Sequence, residues 1–115
     1  MRHHKKNRKF GREKNQRKAL MRSLAEGLVV RGKITTTEAR AKELRPFIEK
    51  LITEGRKNTL VSKKNLIARL GTHTRAKKFS EIAQKYVDRN GGYSRITKLG
   101  ARKSDGSNMA VIELL

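Results

Sequence analysis

Nine Lys and Arg side chains fall within the first eighteen residues, MRHHKKNRKFGREKNQRK, and Glu13 is the one acid among them. Guanidinium forks and ammonium groups meet phosphate oxygens, and Arg planes stack on unpaired bases, so this spacing suits neutralisation of a polyanion rather than bond making. The candidate contacts in the segment are Arg2, His3, His4, Lys5, Lys6, Arg8, Lys9, Phe10, Arg12, Lys14, Arg17 and Lys18. Gly11 allows close backbone approach, and Phe10 either wedges against a base or sugar or packs as a staple on the first helix. Dense like charge with few core-forming side chains cannot offset the entropy of ordering. Residues 1–15 are therefore expected to form a basic arm that orders on its partner.

The rest of the chain shares the bias. A net charge of +20 on 115 residues and an isoelectric point near 11.2 fit an extensive anionic surface better than one local phosphate site. Catalysis has little to stand on. His3 and His4 lie in the arm, His73 sits in a polar GTHT stretch, and carboxylates such as Glu38 and Glu81 precede Lys42 and Lys85 at the spacing of solvated helical pairs. Gly100-Ala-Arg-Lys-Ser lacks the Gly-Lys-Ser/Thr of a phosphate loop, and neither cysteines nor a ligand cluster offers a metal site. The expectation is no enzyme, no cofactor, no metal and no small-molecule substrate. No apolar run exceeds Met109 to Ile112, which excludes a membrane-spanning helix, and no apolar stretch follows the basic start as a signal peptide requires. The absence of cysteine suits a reducing cytoplasm.

These side chains need elements to hold them. Ala19, Leu20, Leu24 and Leu28 step by three or four, which predicts a helix over 16–30 with Arg22 on another face. KITTT over 33–37 predicts a strand, with Thr36 or Thr37 capping the next helix and Glu38 complementing its dipole. That helix carries a stripe of Ala41, Leu44, Ile48, Leu51 and Ile52, and Pro46 within it means either a kink or a second helix starting there. Residues 60–70 predict a short helix closed by Gly71. Thr74 can cap another, with Phe79, Ile82, Ala83 and Tyr86 buried and Asn90-Gly91-Gly92 as its left-handed exit. Phe47 also fits a core face, so too few aromatics remain for a stacking platform. The period then changes: 93–99 and 109–115 read as strands of a hairpin whose basic loop carries Arg102, Lys103 and the turn signal Asp105-Gly106. Residues 16–115 are thus expected to be one α+β domain, its helices packed on one face of a small three-stranded mixed sheet in the order arm-α-β-α-α-α-β-β.

Several short motifs occur in one order along the chain. They are Met1-Arg2-His3, Arg17 with Ala19 and Met21-Arg22, Thr35-Thr36 leading to Ala41-Lys42-Glu43-Leu44-Arg45, and Gly91-Gly92-Tyr93 with Arg95-Ile96 and Lys98. Gly100, Arg102, Asp105, Met109-Ala110 and Ile112-Glu113-Leu114 complete the series. In this order and at this length they resemble the bacterial large-subunit ribosomal protein seventeen family over essentially the whole chain. Gln16, where the family usually has His, and Ser104, where a Gly is common, depart from its pattern. The resemblance implies a structural component of the large ribosomal subunit in the cytoplasm, bound to large-subunit ribosomal RNA and neighbouring ribosomal proteins, near the peptide exit region. It does not imply a membrane partner or an obligate homo-oligomer. Arg22, Arg95, Lys98, Arg102 and Lys103 join the arm residues as candidate RNA contacts. The rival reading is a nucleoid-associated DNA-binding protein, although neither a helix-turn-helix nor a dimer seam is evident.

Overall fold

A computed structural model of the chain describes residues 13–115. Helix α1 (Lys14–Arg31) leads into strand β1 (Lys33–Thr37), followed by α2 (Glu38–Arg56), α3 (Leu60–Leu70) and α4 (His73–Ala83). A single 3-10 turn, Gln84–Tyr86, extends α4 before strands β2 (Ser94–Ala101) and β3 (Asn108–Leu114) close the chain.

Local chemistry sets the element boundaries. Thr37 caps α2 by accepting from the Arg40 N–H at 3.3 Å, and Glu38 stands in the first turn. Thr59 and Ser62 form a reciprocal capping box at the start of α3. The cap of α4 is Thr72 rather than the expected Thr74: its side chain accepts from the Arg75 N–H at 3.2 Å, so His73 and Thr74 are already helical. The glycines also act later than expected. α4 tightens into the 3-10 turn at Gln84, and Gly91 (φ 128°) and Gly92 (φ 64°) instead turn the chain into Tyr93 and β2.

Pro46 neither splits nor ends α2, which runs through it. A helical proline leaves the carbonyl four residues earlier without its partner, but Lys42 and Pro46 both face solvent, where water can satisfy that oxygen. Leu44 and Ile48, on either side, are fully buried and hold the helix to the core. Gly55 permits the close approach of α2 to α4, since a Cβ there would lie 2.8 Å from that of Ala83.

The sheet is antiparallel throughout, in the order β1-β3-β2, rather than mixed. The last strand inserts between the other two, running opposite to both, so the hairpin and the return to β1 need no parallel crossover. Ile34, Ile112 and Ile96 align across the three strands on the helix-facing side, with α2 packed over them. A bulge between Lys98 and Gly100 bends β2 near its end. The core joins Leu28 of α1, Leu44, Ile48, Leu51 and Ile52 of α2, Phe79 of α4, Tyr93 and Ile112. No helix among the described residues is long and apolar enough to cross a membrane.

Candidate nucleic-acid interface

Of the four α-helices described, α1 alone starts without a side-chain cap. Glu13 occupies the cap position without a side-chain hydrogen bond, and the first turn holds no acid. Lys14 and Lys18 lie one turn apart on one stripe that continues to Arg22, with Arg17 beside them. Cations at a helix N-terminus oppose the macrodipole, and the exposed N–H groups there attract anions. None of Lys14, Arg17 and Lys18 has a salt bridge with an acid among the described residues. An anion on this surface would relieve both their repulsion and the uncapped helix start.

Arg22 continues the stripe but is held from behind. Its Nε donates to the Arg69 carbonyl at 2.8 Å and Nη2 to the Ala68 carbonyl at 3.3 Å, fastening α1 to the last turn of α3. This satisfies carbonyls that the end of α3 would otherwise leave open and fixes the guanidinium in place.

The hairpin cations are placed differently. Arg95 donates twice to Glu113 Oε1, at 2.9 and 2.6 Å, across the outer face of the sheet, where Lys33 stands on the other side of the same acid. Lys98 lies 3.5 Å from Glu38 at the start of α2, an acid that Lys42 also holds at 2.8 Å. Hydrogen bonding from Lys42 draws the Glu38 carboxyl below its ordinary pKa, and Lys98 assists. Arg102 grips both oxygens of Asp105, at 3.0 and 2.6 Å. The Ser107 N–H donates to Asp105 at 3.0 Å, and the Gly106 N–H donates to the Arg102 carbonyl at 2.8 Å. Arg102, then the Ser107 backbone, holds the Asp105 carboxyl well below the usual carboxylate range, and the same pair raises the Arg102 guanidinium. The basic loop is thus a short closed turn, with Lys103 exposed and without an ion pair among the described residues.

Arg2, His3, His4, Lys5, Lys6, Arg8, Lys9, Phe10 and Arg12 lie outside the described residues. Among the described residues, no group of three His, Asp or Glu side chains could hold a metal ion.

Two features escaped the reading of the sequence. One is the knot at Tyr93, whose hydroxyl accepts from Arg56 Nη1 at 2.6 Å and donates to the Arg89 carbonyl at 3.1 Å. Arg56 also reaches the Val87 carbonyl and the Asn90 side chain, so a guanidinium that resembles a surface cation in sequence is a brace for the 87–93 segment. Tyr86 packs edge-on against Tyr93 with centroids 5.2 Å apart, which commits both tyrosines to the core. The other is Glu26 of α1, which pairs with both Arg75 and Lys78 of α4. Only the hydrophobic pairing of α1 and α4 could have signalled these contacts.

Relatives bear on what this basic surface serves. Residues 20–115 match the family profile described as Ribosomal protein L17. The chain is 49% identical over 116 residues to the large ribosomal subunit protein bL17 of Fusobacterium nucleatum, with both chains covered completely. It is 50% identical over 118 residues to the protein of that name from Gemmatimonas aurantiaca, covering 100% of this chain and 98% of the relative. Against the Staphylococcus epidermidis protein of that name the identity is 47% over 119 residues, covering 94% of this chain and 98% of the relative. A match of this extent, spanning every element from α1 to β3, places the chain in the bL17 family of large-subunit ribosomal proteins, structural constituents of the ribosome rather than enzymes.

Proposed function

We propose that the chain binds large-subunit ribosomal RNA through its basic N-terminal segment and the first turns of α1, with the hairpin loop as a second, weaker contact. The observation that carries this reading is the start of α1, where Lys14, Arg17 and Lys18 gather at an uncapped helix end without acidic partners among the described residues. Each cation that meets a phosphate releases condensed counterions, so several acting together supply affinity without reading sequence. Arg2, His3, His4, Lys5, Lys6, Arg8, Lys9, Phe10 and Arg12 extend the same contact along the RNA, and Lys103 reaches a separate RNA element. In this role the α+β body fixes where the basic segment meets the RNA. Neighbouring ribosomal proteins are the expected protein partners.

The test is ultraviolet crosslinking within intact large subunits, followed by nuclease digestion and mass spectrometry of the peptides carrying nucleotides. Adducts should concentrate in peptides spanning residues 2–22, with a smaller share around Lys103. Recovery of the chain with large subunits but without any nucleotide adduct in these peptides would leave it a protein-anchored component and overturn the reading.

A further inference from the structure

A pocket of about 300 Å³ lies where α1, α2 and α3 meet, lined by Lys18, Arg22, Phe47, Ala68 and Arg69. Among the described residues its lining holds three cations, one aromatic ring and no acid. Phe47 is half-buried: it packs against the core and also lines this opening, unlike the fully enclosed Phe79. Arg22 is fixed by its bonds to the Ala68 and Arg69 carbonyls, and its Nη1 hydrogens have no acceptor among the described residues. Lys18 and Arg69 are exposed at the rim and have no salt bridge among the described residues.

We propose that this pocket holds one unpaired nucleotide of the RNA, its base against the Phe47 ring and its phosphate at Lys18 and Arg69. The inference rests on the RNA-binding reading above and adds a defined subsite to it. The volume is at the small end of ligand sites, which suits one base rather than several. A base within a duplex is stacked and paired and cannot enter, so the occupant is a bulged, looped or terminal nucleotide. The all-cationic rim matches a phosphodiester, and the aromatic wall gives it a reason to prefer a base-bearing strand over bare phosphate. Arg22 is a positioning residue, because it holds α3 against α1 and so keeps the pocket open.

The experiment uses the full chain and two probes: a short oligoadenylate and a ribose-phosphate oligomer of the same length without bases. Nuclear magnetic resonance would follow the Phe47 ring and the Ala68 methyl. Oligoadenylate should shift both signals, whereas the abasic oligomer, which meets only the phosphate-binding cations, should leave the Phe47 ring unshifted, and Phe47→Leu should weaken oligoadenylate binding about fivefold or more while leaving the abasic oligomer unaffected. Arg69→Gln, at an exposed position that folding does not need, should weaken both probes. Equal shifts from both probes would overturn the base subsite while leaving RNA binding intact. Shifts from oligoglutamate as large as those from oligoadenylate would likewise overturn it, in favour of an acidic peptide. Failure of both oligomers to bind at low salt would overturn the reading beneath it as well.

Discussion

The start of α1 and the β2–β3 hairpin carry the same kinds of side chain and use them in opposite ways. At the helix start, Lys14, Arg17 and Lys18 stand together with no acid in the first turn. On the hairpin, Arg95, Lys98 and Arg102 hold Glu113, Glu38 and Asp105 respectively. Counting basic residues cannot tell these regions apart. The geometry of their partners can: a cation already paired in a well-aligned contact must give up that contact, or share it, before it serves a phosphate. Its net contribution to RNA affinity is accordingly smaller than that of a cation without a salt bridge to release.

The largest expected effect comes from emptying the first region. Replacing Lys14, Arg17 and Lys18 together with Gln should lower affinity for large-subunit ribosomal RNA roughly tenfold or more at moderate salt, and flatten the log–log salt dependence by about 2. Thermal melting of the free protein should not fall, since removing cations from a helix N-terminus contributes up to about 1 kcal/mol of stability. Filter binding and calorimetry on the same variant would check both, and a large loss of melting temperature with unchanged affinity would invert the roles assigned here.

Arg22 belongs to the α1 stripe but is bonded to α3. Arg22→Met should destabilise the fold by about 1–3 kcal/mol through the two lost hydrogen bonds to the α3 carbonyls. Urea titration would show the shift. A variant as stable as the parent would mean that these bonds form without holding the helices together.

A smaller effect should follow from making the hairpin resemble the helix start. Glu113→Gln frees Arg95, and Asp105→Ala frees Arg102, so each should raise RNA affinity about two- to threefold and steepen the salt dependence by up to about 1. Arg95→Gln should lower affinity by less than the loss of any one α1 cation. If the hairpin variants outweigh those of α1, the paired cations are the principal anchors and the comparison fails.

The smallest effect is a titration. The Asp105 carboxyl, ordinarily near 3.8, is depressed by Arg102, so the loop's contribution to stability is present above the ordinary value and is lost only as pH falls through the lower folded one. Its carboxyl carbon signal should remain that of the ionised form through the range in which exposed aspartates protonate. Arg102→Gln should return the midpoint toward the ordinary value, with little change in melting because the pair is exposed.

Much of this contrast was beyond the reach of the sequence, for identifiable reasons. Elements defined by local pattern were legible: the stripe from Ala41 to Ile52, a threonine cap at 36 or 37 that the structure assigns to Thr37, the Gly71 stop and the turn at Asp105-Gly106 depend on residues within a turn of one another. Thr72 and Thr74 were indistinguishable as caps by type, because where a helix begins is settled by which backbone N–H the hydroxyl reaches. Pro46 could be resolved only by the burial of Leu44 and Ile48, a tertiary fact. The sheet direction needed β3 placed between its partners, a pairing of segments far apart in the chain. Within the candidate site, Lys14, Arg17 and Lys18 can be read from the sequence by type, and the structure adds that they stand at an uncapped helix start. The acids that occupy Arg95 and Lys98 lie on other elements, and no spacing rule reaches them.

The central claim is that affinity for RNA comes mainly from the basic segment and the cations of α1 acting as phosphate neutralisers. The most direct measurement is the salt dependence of binding between the full chain and a large-subunit ribosomal RNA fragment. At about 0.7–0.9 per phosphate met, six or more contacts predict a log–log slope of magnitude about 4 or greater. A slope of magnitude below about 2 would contradict the account, because it would leave the concentrated charge at the start of the chain without a role in binding.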